Sequence, residues 1–157
     1  MELLDLIERI SLFNSFSPQE KRKMAEFEHT FLRYEPGEFI VRQLTHESSF
    51  FILIRGQVVV TRNAQPERPI ATMNAGAIFG EMAFLTGEQR SSNVIAASPC
   101  VVMKINEMTF QRMDATMREK LKDRLIEVLV ERIDKLTTKL LVARDKSSGS
   151  ADSGDYS

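Results

Sequence analysis

The sequence contains few of the residues on which catalysis, metal binding and disulfide bonding depend. Its 157 residues include one cysteine, Cys100, two histidines, His29 and His46, and no tryptophan. Cys100 cannot form an intrachain disulfide, and it lies in an apolar run with no histidine nearby, so we interpret it as a small buried hydrophobe. A metal-dependent enzyme would need histidines clustered with a carboxylate. The sequence therefore predicts that the chain is not an enzyme and holds no metal or other cofactor.

Long apolar runs and an excess of charge of one sign are also absent. No run approaches the ~20 apolar residues that span a bilayer, and the acidic, interrupted start of the chain does not fit a signal peptide. Lys and Arg number 21 against 22 Asp and Glu, which gives a formal net charge of −1. We therefore expect a cytoplasmic chain whose partners include neither nucleic acid nor a membrane.

The middle of the chain consists of short β-rich runs separated by turn residues. Many short strands at this spacing are typical of a jelly-roll barrel. We predict a mainly β fold with flanking helices, in which a jelly-roll β-barrel (double-stranded β-helix) lies between N-terminal helices and a long C-terminal helix. The runs are 31–34, 39–42, 50–54, 58–60, 70–73, 93–96 and 100–105.

Helical patterns flank the strands on both sides. Ser17 and Glu20 have the spacing of a capping box around Pro18, which predicts the start of a helix. Near the other end, residues 117–144 contain neither proline nor glycine, and their apolar residues alternate spacings of three and four. Such a heptad seam indicates either a parallel homodimer or a helix that packs back on the barrel. The seam consists of Ile126, Leu129, Ile133, Leu136 and Leu140.

A glycine-containing loop over residues 79–92 carries an acid near one end and an arginine near the other. The forked N–H groups of Arg90 match two oxygens of a phosphodiester. Gly80 lets the backbone approach a ligand, and a helical turn beginning near Glu81 would aim free N–H groups at an anion. Because a carboxylate repels a phosphate, ribose hydroxyls are the expected partner of Glu81. The simpler alternative is an ion pair between Glu81 and Arg90 across a surface turn.

The run Phe79–Ala83 followed by Arg90–Ser92 resembles the phosphate-binding cassette of the cyclic nucleotide-binding domain. That family includes the catabolite activator protein and the regulatory subunits of protein kinase A, and the resemblance covers about residues 10 to 140. It implies that Arg90 binds the cyclic phosphate and that Glu81 binds the ribose 2′-hydroxyl. The ligand-binding residues that it implies are Gly80, Glu81, Met82, Ala83, Arg90, Ser91 and Ser92.

Three further positions are interpreted through the same resemblance. Thr137 and Thr138 correspond to residues of the long helix that contact the base in catabolite activator-like dimers, so they are candidates for a lid over the base. Leu44 stands where the family commonly has glycine after its second strand. The conformation of the turn at Leu44 is therefore an open question.

The predicted organisation is an N-terminal helical segment (1–28), a barrel core (29–105), C-terminal helices for the lid and dimerisation (106–145) and a disordered Ser/Gly/Asp-rich tail (146–157). The resemblance implies a regulatory sensor that binds cAMP in preference to cGMP and forms a homodimer. No helix-turn-helix, kinase or channel sequence follows, so we expect the output to reach an unknown effector protein or a missing effector domain. The alternative is a degenerate domain that serves dimerisation or protein contact without a ligand.

Overall fold

The computed structural model describes residues 3–150, without the side chains of His29 and residues 146–150. The chain divides into two units, one ending at Leu121 and the other beginning at Lys122. Along the sequence, helices come first, strands follow, and helices return after the last strand. This order is the one that the sequence patterns predict.

The N-terminal segment contains helices α1 (Leu3–Glu8) and α2 (Pro18–Glu26), with a short 3-10 turn at Ser11–Phe13. The predicted capping box begins α2. The backbone N–H of Glu20 donates to the Ser17 hydroxyl at 3.1 Å, and the Ser17 N–H donates to the Glu20 carboxylate at 2.8 Å. Two of the N–H groups at the start of the helix therefore have acceptors.

Within residues 3–150, eight strands form two four-stranded antiparallel sheets, so the predicted mainly β fold is confirmed. The first sheet has the strand order β1-β8-β3-β6 and the second the order β2-β7-β4-β5. A cluster of buried residues fills the core, and the one cysteine, Cys100, lies within it. The strands are β1 (Phe31–Tyr34), β2 (Phe39–Val41), β3 (Ser49–Arg55), β4 (Gln57–Thr61), β5 (Ala71–Asn74), β6 (Ile78–Phe79), β7 (Asn93–Ala96) and β8 (Cys100–Asn106).

Strand β6 was not predicted, and it is the element that leads into the cassette. It has two residues, which is too few for a periodic pattern to reveal. Phe79 of β6 pairs with Phe51 of β3, and their rings stack with centroids 5.1 Å apart. This pairing fixes the backbone just before Gly80.

The turn after β2 answers the question that the sequence leaves open at Leu44. Among residues 3–150, Leu44 is the one non-glycine residue with a positive φ, at 72°, and its side chain is 61% exposed. The left-handed turn is therefore kept although a leucine occupies it. Left-handed backbone costs an L-residue with a Cβ about 1 to 2 kcal/mol relative to its right-handed form.

Two helices follow the last strand. Helix α4 (Glu107–Arg112) is capped by Asn106, whose side-chain oxygen accepts from the N–H of Thr109 at 2.8 Å. Helix α5 runs from Ala115 to Ser150, past the predicted boundary at residue 145, and the rest of the predicted tail lies outside the described residues. Within residues 3–150, no helix combines the length and the apolarity needed to cross a bilayer.

Candidate functional site

The cassette encloses a pocket of about 210 Å³. All seven ligand-binding residues expected from the sequence line it, although they come from the start of α3 (Glu81–Thr86) and from the loop that precedes β7. Five more residues complete the lining, and the sequence did not single them out. These are Val41, Thr86, Glu88, Gln89 and Val94.

Val41 and Val94 enter the lining through strand pairing. They are register partners in the antiparallel pair of β2 and β7, and both are buried. The two strand runs were recognisable from the sequence, but their pairing depends on the order of strands in the sheet. Local sequence patterns therefore could not predict that these two valines form an apolar wall of the pocket.

Gly80 precedes α3 and seats the arginine side chain. Its φ is +75°, in the left-handed region, and a Cβ at this position would lie 2.7 Å from Nη1 of Arg90. Any larger residue would therefore displace the guanidinium as well as strain the backbone. Because glycine has no side chain to cap α3, the first N–H groups of the helix are left to other acceptors.

Arg90 is buried, with 4% of its surface exposed. Its Nη1 donates to the carbonyl oxygen of Gly80 at 2.8 Å, and its Nη2 donates to the Ser49 hydroxyl at 3.0 Å. The guanidinium carbon lies 5.6 Å from the ring centroid of Phe51. Two hydrogen bonds and an aromatic ring thus hold the cation in one orientation.

Burial also sets the electrostatics of Arg90. Desolvation lowers the pKa of the Arg90 guanidinium, and the nearby Glu47 carboxylate acts in the opposite direction. A guanidinium stays protonated in proteins, so Arg90 is a charged donor in poorly solvated surroundings. An anion that enters the pocket would interact with it more strongly than with an arginine in water.

Arg90 is supported by a chain of contacts through Ser49, Glu47 and Lys104, which no sequence pattern predicted. The Ser49 hydroxyl donates to the Glu47 carboxylate at 2.9 Å, and Lys104 forms an ion pair with the same carboxylate. Desolvation disfavours the charged form of Glu47, but Lys104 and Ser49 outweigh it, so the pKa of Glu47 lies below its ordinary value. Glu47 is therefore ionised and orients the hydroxyl that Arg90 contacts.

The backbone on both sides of Arg90 is tied to the turn at Leu44. The N–H of Leu44 donates to the carbonyl of Arg90 at 2.8 Å, and the N–H of Arg90 donates to the carbonyl of Thr45 at 2.9 Å. The strained turn thus holds the main chain that carries the phosphate-binding candidate.

Glu81 is fully buried, with 0% of its surface exposed. The alternative from the sequence was a Glu81–Arg90 pair across a surface turn, and neither side chain lies on the surface. Ser91 is exposed and Ser92 half-buried at the edge of the same pocket. A buried carboxylate and a buried guanidinium in one lining provide an acceptor and a donor for two different parts of a ligand.

Thr137 and Thr138 lie on α5 and are exposed. Their role at a base stays a prediction. Four residues of the predicted seam on the same helix are exposed, and the fifth, Leu129, is partly buried. Among the described residues, no three His, Cys, Asp or Glu side chains are grouped so that they could hold a metal ion.

Comparison with known proteins identifies the family of this fold. The family model described as cyclic nucleotide-binding domain matches residues 31–116, which include both sheets and the whole pocket lining. The chain belongs to the cyclic nucleotide-binding domain family. It is a regulatory domain of that type, and the resemblance inferred from the cassette residues is confirmed.

Proteins similar to this cyclic nucleotide-binding domain include a protein kinase and a catabolite activator protein. The chain is 32% identical over 126 residues to the cGMP-dependent protein kinase egl-4 of Caenorhabditis elegans, covering 78% of this chain and 16% of that kinase. A solved structure of Sp-2Cl-cAMPS bound to PKAR CBD2 has a TM-score of 0.65 and 25% identity, covering 87% of each chain. The catabolite activator protein of Thermus thermophilus has a TM-score of 0.69 and 20% identity, over 85% of this chain and 62% of that one.

The chain covers different shares of these relatives. The chain spans about a sixth of the length of the kinase, so the similarity concerns only a part of that protein. At 20% identity, the activator supports the fold alone.

Proposed function

We propose that this chain binds cAMP in the cassette pocket, with Arg90 on the cyclic phosphate and Glu81 on the ribose 2′-hydroxyl. The observation that carries the proposal is the buried, pre-oriented guanidinium of Arg90 in the lining of a pocket that also contains a buried carboxylate. Gly80, Met82, Ala83, Ser91 and Ser92 complete the ligand contacts in this proposal. A cation held this way loses little further orientational freedom when it binds an anion.

The choice of cAMP over cGMP is the second part of the proposal. One relative is named a cGMP-dependent kinase, whereas one structural neighbour is described with the ligand Sp-2Cl-cAMPS. The exposed hydroxyl of Ser91 is compatible with either base. We keep cAMP as the proposed ligand and cGMP as the competitor in the test.

For signalling, we propose that the chain forms a homodimer through α5 and passes ligand occupancy to an effector. The support is the exposed seam, in which Ile126, Ile133, Leu136 and Leu140 are open to solvent. Isoleucine at two of the a positions with leucine at both d positions favours two parallel strands. If Thr137 or Thr138 contacts the base, the ligand would favour the closed position of the helix and shift that equilibrium. A cytoplasmic location is part of the same proposal, in agreement with a free, buried Cys100.

Calorimetric titration of the wild type and Arg90→Lys with cAMP and cGMP tests the ligand. We expect the wild type to bind, with cAMP the tighter ligand, and Arg90→Lys to lose about 100-fold or more in affinity. Lysine keeps the charge but loses the fork, and each charge-assisted hydrogen bond contributes roughly 1.5 to 3 kcal/mol.

The matched control is Arg62→Lys, because Arg62 is exposed and lies outside the pocket lining. Thermal unfolding of each variant shows whether a loss of binding reflects a loss of folding. A folded wild type that binds neither nucleotide would contradict the proposal and leave the ligand-free dimerisation domain as the better interpretation.

A further inference from the structure

Glu88 is a second carboxylate in the pocket lining, and the proposed binding mode gives it no role. Among the described residues that line the pocket, Arg90 is the one cation, whereas Glu81 and Glu88 are both acids. Outside the lining, the Glu47 carboxylate also interacts electrostatically with Arg90, although Glu47 forms an ion pair with Lys104. The lining therefore holds two acidic side chains against one cationic side chain before any ligand binds.

This balance suits a ligand with a single negative charge. A cyclic nucleotide has one charge on its phosphodiester, whereas a 5′-mononucleotide carries close to two at pH 7 because its second phosphate pKa is about 6. Arg90 can compensate one of these charges. A second charge would meet the carboxylates with no further cation among the described lining residues, and like charges at short range repel.

The segment that carries Glu88 is attached to the end of α3. The N–H of Glu88 donates to the hydroxyl of Thr86 at 3.2 Å, and that hydroxyl donates to the carbonyl of Met82 at 2.7 Å. Glu88 also lies two positions before Arg90 in the chain. The backbone of Glu88 is thus anchored in the same loop that presents Arg90.

We propose that Glu88 is a specificity-determining residue, which makes the pocket reject dianionic 5′-nucleotides in favour of singly charged cyclic phosphodiesters. The role rests on the proposed binding of a cyclic nucleotide in this pocket. Because Glu88 is exposed, its field acts partly through solvent and its effect is moderate.

The test compares the affinities of the wild type and Glu88→Gln for three ligands at pH 8 and low salt. The ligands are cAMP, 5′-AMP and the 5′-methyl phosphodiester of AMP, which is open like AMP but carries one charge like cAMP. We expect Glu88→Gln to gain more affinity for AMP than for cAMP, which narrows the preference for cAMP about fivefold. The methyl ester should gain only as much as cAMP does, because the gain follows the charge of the ligand.

Glu67→Gln is the matched control, since it removes the same charge from an exposed residue outside the pocket lining. It should leave the preference for cAMP over AMP unchanged. The proposal is overturned if Glu88→Gln leaves that preference unchanged, if AMP and its methyl ester gain equally, or if cAMP binding weakens. If the wild type binds no cyclic nucleotide at all, the proposed function fails and the role of Glu88 falls with it. Normal cAMP binding with an unchanged preference refutes the role of Glu88 alone.

Discussion

The barrel unit buries charged residues that a ligand could use, whereas α5 exposes apolar residues that a protein could cover. Glu81 and Arg90 are 0% and 4% exposed, but Ile133 and Leu140 are 61% and 71% exposed. A buried ion is costly unless it is paired or hydrogen-bonded, and Arg90 has Ser49 and Gly80 as partners. The exposed isoleucine and leucine side chains on one face of α5 instead leave apolar surface in contact with water.

The difference shows two ways in which a domain prepares for binding. In the cassette, folding already desolvates and orients the guanidinium. A small anion that enters the pocket would therefore meet donors that need little reorientation. On α5, the apolar seam would be stabilised only if a partner covered it. The cassette would select a ligand by its charge and geometry. The α5 seam would select a partner by the apolar area and the register of its helix.

The largest expected effect comes from placing a charge in the seam. Ile133→Asp should weaken a dimer by about 100-fold or more, because each of two copies loses the roughly 1.5 to 3 kcal/mol of a buried isoleucine. Unfolding of the monomer should change little, since Ile133 is exposed. Light scattering and analytical ultracentrifugation over a concentration series measure the association.

Lys135→Asp is the control for Ile133→Asp, because Lys135 is exposed on the same helix but outside the seam. It should leave the dimer intact. A wild type that stays monomeric at high micromolar concentration would show that α5 does not pair with a second copy.

A smaller effect is expected from Glu81→Gln in the cassette. If the carboxylate accepts from the ribose 2′-hydroxyl, the variant should bind cAMP about 10- to 100-fold more weakly, from the roughly 1.5 to 3 kcal/mol of a hydrogen bond to a charged group. Binding of 2′-deoxy-cAMP should change much less. Competition titrations of both ligands against wild type and variant give the four affinities needed.

The ribose contact is disproved if the wild type binds cAMP and 2′-deoxy-cAMP equally well. An equal loss for both ligands in Glu81→Gln would instead indicate that Glu81 acts by maintaining the pocket.

The smallest effect concerns the turn that holds the main chain of Arg90. Leu44→Gly should raise the free energy of unfolding by about 0.5 to 1 kcal/mol and the melting temperature by about 1 to 4 °C, because glycine adopts positive φ without steric cost. Leu44→Ala is the control, since it removes the exposed side chain but keeps the Cβ. A thermal melt in which both variants shift equally would show that the strain at Leu44 is not what costs stability.

Much of the site could be predicted because its chemistry lies in one short stretch of sequence. Arg90, Glu81 and Gly80 have side-chain properties and spacing that already define a donor, an acceptor and a close backbone approach. The support of Arg90 could not be predicted in this way, since Ser49 is 41 positions away and contacts it only because β3 and the cassette meet in the fold. Strand β6 was missed for a related reason, because two residues carry no period and are held by pairing with β3.

The sequence by itself determined the order of elements, the capping box of α2, the apolar seam of α5 and the identity of the cassette, because each of these is encoded by residues close together in the chain. Only the tertiary structure decided that Arg90 and Glu81 are buried rather than exposed on a surface turn. It also showed that Val41 and Val94 form a wall of the pocket and that Leu44 adopts a left-handed turn. These features depend on sheet register and on hydrogen bonds between distant segments, and no local pattern of side chains contains that information.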